Sequence, residues 1–397
     1  MPKKRFTSKK RQKAKVKTLA DANRSYLLTV AALIVFGVVM IYDATVIYSQ
    51  GTLGDAYKLV VLQIGWVVLG LLGFYFFYRL DLERIKQLAF PLFLVSLGIL
   101  LLLALAGTFS KCDGGGVVFM PCINGAHRWF FLNPPPLPAL PVLGVLGFQP
   151  SEFAKFTLVL YLAVILAKNI REKESPFAVF IIVTGLVSGL VLLQPNMSTA
   201  ALLFLIGLVM YFASGANLNP LLITIPAIVL GGMGFMFSSN YRRARLLTFL
   251  NPGETGELSL GYHIKQIQIA LGSGGFLGLG FGQSRQKFSY LPEVAADSIF
   301  AIIGEEFGFL GTTAFILIFS FLIYQGFMIA KNSKDLFSRL LAVGITTWIA
   351  AQFFINIAAM TRLIPLTGIP LPLVSYGGSA TVFSLMGLGI LANVSSK

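Results

Sequence analysis

The sequence predicts an all-α polytopic membrane protein of about ten transmembrane helices, with a large extracytoplasmic loop between spans 7 and 8. Three observations carry that prediction. Of 397 residues, 56% are hydrophobic and only 12% charged, with a mean hydropathy of +0.80, which excludes a soluble globular chain. Apolar windows approaching the roughly 20 residues that cross a bilayer recur along the whole length. Lys and Arg concentrate in short loops that fall on one side of the resulting topology.

The windows lie near 26–48, 57–78, 88–107, 152–168, 177–193, 198–213, 219–237, 299–330, 340–360 and 370–393. The window at 299–330 is long enough for one tilted span with a helical extension. Residues 1–24 form a basic arm, with ten Lys and Arg against Asp21 alone, which is +9 of the chain's +15. Residues 25–397 form the membrane domain. The loops with Arg79/Arg84/Lys86, Lys168/Arg171/Lys173 and Lys331/Lys334/Arg339 share the arm's side, so both termini are expected in the cytoplasm of a multi-pass inner-membrane protein. The arm reads as a topology signal that also attracts anionic membrane lipids.

Two longer loops then lie outside. The first, 108–151, holds NGAHRW at Asn124–Trp129, a proline cluster at Pro134–Pro141, and both cysteines, Cys112 and Cys122. An exported loop permits a disulfide between them, which would stiffen it by about 2–3 kcal/mol; two free thiols are the alternative. The second loop, 238–297, has helical periodicity at Tyr262–Leu271 and carries Arg242, Arg243, Arg245, Lys265, Arg285 and Lys287. These cations sit where the positive-inside tendency would deplete them, although long loops escape that tendency. The alternative is an anionic ligand at the outer surface, for which Arg offers a bidentate fork to phosphate. With two histidines in the chain, a His-rich metal site is not expected, and no organic cofactor motif appears.

Four constellations carry chemistry. In Leu291–Glu306, Pro292 suits the start of a helix, which would set Glu293 and Asp297 one turn apart on one face. Asp297 at the membrane boundary is the candidate base, because partial desolvation raises a carboxylate pKa. Glu305 and Glu306 read as buried structural acids, with Lys155 a conceivable partner. In QPSEFAK, Ser151 or the residues before it could cap a span, and Glu152 and Lys155 have the spacing of a structural ion pair. In PLPLVSYGGSA, Ser375, Gly377 and Gly378 are candidate substrate-binding positions whose N–H groups could form an anion nest, or whose small side chains pack helices. QPNMST, at Gln194–Thr199, reads as a structural turn.

NGAHRW, FQPSEFAK, QPNMSTA, GYHIKQIQIALGSGG with GQSRQKFSYLPE, DSIFAIIGEE and PLTGIPLPLVSYGGS occur in this order over residues 25–395. This series resembles the SEDS family (shape, elongation, division and sporulation), and is closer to its division branch than to its elongation branch. The resemblance implies a ten-span peptidoglycan glycosyltransferase of cell wall biogenesis. Such an enzyme polymerises lipid II at the outer face of the cytoplasmic membrane, beside a class B penicillin-binding transpeptidase and other division proteins. It places the essential acid at Asp297, with Arg128, Lys155, Arg242, Arg245, Lys265, Lys287 and Glu293 as substrate-binding candidates. A divalent cation such as Mg2+ could share the pyrophosphate charge; its ligands are unknown. Where many members read LPEAHTD this chain reads LPEVAAD, losing a His and a Thr at Ala295 and Ala296. Asn196 replaces an acid in QPNMSTA. A lipid flippase needs a polar path across the whole bilayer, whereas the acids here cluster toward one end. A non-catalytic scaffold leaves Asp297 and the loop cations unexplained.

Overall fold

The computed structural model describes residues 3–109, 118–123, 125–134, 146–237, 240–250, 258–288 and 290–396. Its helices are α1 (Lys3–Leu53), α2 (Lys58–Arg79), α3 (Leu82–Phe109), α4 (Pro150–Glu172), α5 (Pro176–Leu193), α6 (Met197–Ala213), α7 (Leu221–Phe237), α8 (Asn240–Leu250), α9 (Leu258–Ser273), α10 (Ile299–Asn332), α11 (Leu336–Met360) and α12 (Gly378–Ser396). Among the described residues, eight helices are long and apolar enough to cross a membrane, or nine if α7 and α8 make one bent span. The apolar helix α6 is shorter, at 17 residues. The helical membrane fold is thus as predicted. Between α3 and α4, two short antiparallel pairings join Cys122–Ile123 to Ala126–His127 and Phe130–Phe131 to Gly147–Phe148. Cys122 is disulfide-bonded, and its expected partner Cys112 lies outside the described residues.

The bundle turns apolar side chains both inward and outward, as lipid demands. Trp348, Phe319 and Phe353 are wholly enclosed, while Leu72 and Phe212 stand more than half exposed on the perimeter. Close helix contact depends on small residues, since dispersion rather than water exclusion holds helices together in lipid. A Cβ at Gly389 of α12 would fall 2.4 Å from the Phe74 carbonyl oxygen of α2. Two interior polar side chains find partners across the bundle, where an unsatisfied group is costly without water. The Tyr26 hydroxyl donates to the Leu388 carbonyl at 2.8 Å, and Gln63 Nε2 donates to Thr381 Oγ1 at 3.0 Å.

Two boundaries differ from the sequence reading, and both shape the site. Pro292 does not open a helix. Residues 290–297 form consecutive turns, Glu293 adopts the left-handed conformation at φ 50°, and α10 starts at Ile299 after Ser298. Glu293 and Asp297 therefore do not share a helix face. The last apolar window begins with irregular chain, and α12 starts only at Gly378. Pro365, Pro370 and Pro372 lack the N–H groups that a helix would need there. Within α10 the helix breaks at Gly308 (φ 62°, ψ −164°), so the long window is a short inner head, 299–307, followed by a span.

Candidate active site at the head of helix α10

The head of α10 organises the polar loop that precedes it. Glu305 and Glu306, both about 1% exposed, turn back toward residues 282–287. Glu305 accepts from the Ser273 and Ser284 hydroxyls and from the N–H groups of Arg285 (3.1 Å) and Gln286 (3.3 Å). Glu306 accepts from the N–H groups of Gly282 (3.1 Å) and Ser284 (3.0 Å), and from Lys287 Nζ at 3.0 Å. Lys287 Nζ also donates to Asp43 of α1 at 2.7 Å. Buried carboxylates gripping backbone amides fix a loop without secondary structure of its own.

This geometry differs from the sequence reading at two lysines. Lys287 is 4% exposed and committed to two carboxylates, where the sequence reading expected an outward-facing cation. Lys155 does not pair with Glu305 or Glu306. It lies 2.7 Å from Glu152, one turn away on α4, and sits over the Trp348 ring at 5.5 Å. At 1% exposure it is enclosed together with Glu152, the ion pair that the spacing of Glu152 and Lys155 predicts. Its helix, α4, opens with Pro150, and the N-cap position falls on Gln149, before Ser151, with no side-chain cap hydrogen bond.

The proposed anion nest is likewise already satisfied. Ser375 N–H donates to the Leu371 carbonyl at 2.9 Å, Tyr376 N–H to the Ala295 carbonyl at 2.7 Å, and Gly377 N–H to Gln63 Oε1 at 3.3 Å. Ser375 Oγ accepts from Leu371 N–H at 2.8 Å. Gly378 provides room for Trp66, whose ring would lie 2.5 Å from an added Cβ. Three of the N–H groups in this segment are thus engaged within the protein, and Gly378 serves close packing. Its role at the site is to brace the backbone two residues before Asp297.

Asp297 itself is half-buried at the junction of loop and helix. Asn356 Nδ2 of α11 donates to the Asp297 carbonyl at 2.8 Å and to the Ile369 carbonyl at 2.9 Å, clamping the acid's backbone to the proline-rich segment. A Cβ at Gly368 would lie 3.7 Å from Asp297 Oδ2. The Ser298 hydroxyl donates to Oδ1 at 3.5 Å, and His263 Nε2 of α9 lies 2.8 Å from that same hydroxyl. Burial pushes the Asp297 carboxyl up to about 6, and the charge of Glu293 adds to the rise; its backbone, the Ser298 hydroxyl and Arg245 oppose it. Burial and the same arginine push His263 down to about 4, which keeps the imidazole neutral.

Among the loop cations, Arg245 is thus the one whose charge is felt at the acid. Arg242 folds back on its own helix pair, donating to the Phe235 carbonyl at 3.0 Å with its guanidinium 3.8 Å over that ring. Lys265 projects from α9 and is exposed, as is Glu293. Arg128 donates to the carbonyls of Gln194 (3.1 Å) and Pro195 (2.6 Å), tying the segment between α3 and α4 to the α5–α6 turn. That turn is structural as expected, with Asn196 Oδ1 accepting from Thr199 N–H at 3.3 Å. Among the described residues, no group of three His, Cys, Asp or Glu side chains is placed to hold a metal ion.

Sequence reasoning missed Asp43, Asn356, His263 and Ser298 at this site. A lone acid inside the first apolar window was a signal for Asp43. Position next to Asp297 was the signal for Ser298.

Comparison with known proteins agrees with this architecture. The profile of the family described as cell cycle protein, covering FtsW, RodA and SpoVE, matches residues 23–397. A protein named probable peptidoglycan glycosyltransferase FtsW from Trichlorobacter lovleyi is 35% identical over 387 residues, 95% of this chain and 94% of that one. Stage V sporulation protein E of Bacillus subtilis is 34% identical over 366 residues, 91% of this chain and 94% of its own. A solved structure titled for the coordination of polymerization and crosslinking by a peptidoglycan synthase complex superposes with a TM-score of 0.72 at 28% identity, over 94% of this chain and 96% of that chain. The rod shape determining protein RodA of Thermus thermophilus gives 0.64 at 27% identity, over 94% and 95%.

Proposed function

The chain belongs to the cell cycle protein family of FtsW, RodA and SpoVE, and we propose that it is a peptidoglycan glycosyltransferase that polymerises lipid II during cell division. The observation that carries this reading is Asp297. It is a half-buried acid near pKa 6, clamped through its backbone by Asn356 and lying within the field of Arg245. A general base works best when its pKa lies close to the operating pH.

In this reading Asp297 is ionised near neutrality and takes the proton of the acceptor sugar hydroxyl. The freed oxygen attacks the anomeric carbon of the donor strand, and the bond to the lipid pyrophosphate breaks. Arg245, whose charge reaches Asp297, and the exposed Lys265 of α9 are the cations that would stabilise the charge developing on the leaving group. A divalent cation such as Mg2+ at that pyrophosphate is compatible with the scheme. Both termini face the cytoplasm, so that the loop 238–297 and Asp297 face outward in a multi-pass protein of the bacterial inner membrane.

A class B transpeptidase is the partner this reading requires, since polymerised strands must be crosslinked. The likeness to a peptidoglycan synthase complex supports it. The test is the purified protein, with and without such a partner, given labelled lipid II. Glycan polymer supports the reading. Lipid transfer between leaflets without polymer supports a flippase instead.

A further inference from the structure

Beside the acid lies a second polar chain that the reaction as described does not use. Ala295 and Ala296 offer the Asp297 carboxylate neither hydroxyl nor imidazole. Its side-chain hydrogen bond comes from the next residue, the Ser298 hydroxyl, at 3.5 Å from Oδ1. Ser298 is fully buried and sits just before the first turn of α10. Its hydroxyl is met from a different element by His263 Nε2 at 2.8 Å. A hydroxyl has one proton to give. If Ser298 donates to the carboxylate, the imidazole must donate to Ser298, which requires the neutral tautomer with its proton on Nε2.

We propose that His263 and Ser298 are positioning residues for Asp297: the imidazole N–H orients the serine hydroxyl, and the hydroxyl holds carboxylate oxygen Oδ1, leaving Oδ2 to receive the acceptor's proton. This rests on the reading of Asp297 as the general base. The charged and titratable groups whose fields reach the pair are Glu293 on the same turn and Arg245 on α8. Burial first, and Arg245 second, keep the imidazole from taking a second proton, and a neutral ring can hold this orientation throughout the working pH range. The 3.5 Å separation is at the outer limit of a hydrogen bond, and such contacts commonly shorten when substrate closes a site.

A donated hydrogen bond favours the ionised carboxylate. Its loss moves the acid limb of the polymerisation rate to higher pH, by about one unit, which is about a tenfold slower rate below the limb. The experiment is the pH profile of labelled lipid II polymerisation for Ser298→Ala, Ser298→Thr, His263→Ala and His263→Gln. Both alanine variants should move the limb upward. Ser298→Thr keeps the hydroxyl and His263→Gln keeps an N–H near Nε2, so both should hold the wild-type limb whatever their maximal rate. A limb left in place by either alanine variant overturns the proposal, as does a limb moved equally by the Thr and Gln variants.

A second measurement needs no variant and survives any failure to fold. The chain has two histidines, and His127 Nδ1 faces the Met120 carbonyl, which calls for its Nδ1–H tautomer. Nitrogen-15 NMR of the histidine-labelled protein near neutral pH should therefore show one Nδ1–H and one Nε2–H ring. Two Nδ1–H rings overturn the proposal. Asp297→Asn separates the two claims. Polymer from that variant removes the base itself, whereas an inactive Asp297→Asn with an unmoved Ser298→Ala limb removes only the positioning pair.

Discussion

Lys287 Nζ and Asp43 Oδ1 lie 2.7 Å apart although 244 residues separate them in the chain. The contact joins the first span to the loop that precedes Asp297, and Glu306 completes it at 3.0 Å. Removing one member of a buried ion pair leaves the other uncompensated and costs about 3–5 kcal/mol. Lys287→Ala is therefore expected to lower the thermal midpoint of the detergent-solubilised protein sharply. The KM for lipid II of the surviving folded fraction should stay unchanged. A Lys287→Ala protein of normal stability with a raised KM would restore Lys287 as a substrate ligand.

The rate of polymerisation should depend on pH through Asp297. A general base acts only when ionised, and this carboxyl is held near 6, so the rate should rise as pH increases through about 6 and level off above it. The Asp297→Glu protein, if active, should keep an acid limb but at a different pH. A rate that is flat from pH 5 to 7.5 would contradict the assignment.

The same shift has a consequence for stability. The folded pKa of Asp297 lies above its ordinary value. Its favourable contribution is thus complete below the unfolded pKa and is lost as pH rises through about 6. Asp297→Asn, which never ionises, should consequently melt higher than the wild type at pH 7.5 and equally near pH 4. An Asn variant that melts lower at pH 7.5 would contradict the burial of a charged acid there.

Gly308 separates the head of α10 from its span. At φ 62° a side chain is strained, and a Cβ there would meet Gly278 N at 2.2 Å. The backbone strain alone is on the order of 1–3 kcal/mol. Gly308→Ala should shift the head, loosen the Glu305 and Glu306 grip on the loop, and reduce polymerisation more than expression. Limited proteolysis within residues 282–288 reads this directly. Wild-type resistance would show that the break does not set the loop.

The spans were legible because their cause is local: uninterrupted apolar windows such as 57–78 and 340–360 have no alternative to helix in lipid. The Glu152–Lys155 pair and the Asn196 turn were legible for the same reason, since their partners lie within one turn. Lys287 was misread because its partners, Asp43 and Glu306, lie far away in sequence and no periodicity links them. Pro292 was misread because a proline that suits a helix start also suits a turn, and the left-handed Glu293 decides between them. Asp297 was legible as a costly acid at a membrane boundary. Its neighbours His263 and Asn356 come from α9 and α11 and became visible only in the fold.

The central claim is that Asp297 supplies the base for lipid II polymerisation. Asn preserves the shape of the side chain and its backbone clamp to Asn356 while removing proton acceptance. General bases contribute about 10²–10⁴-fold. The decisive measurement compares labelled glycan formed from lipid II by the wild type and by Asp297→Asn at equal expression, with the transpeptidase present. The account predicts no detectable polymer from Asp297→Asn, with lipid binding and partner binding intact, and a smaller loss from Glu293→Gln. Near-normal polymer from Asp297→Asn would contradict it.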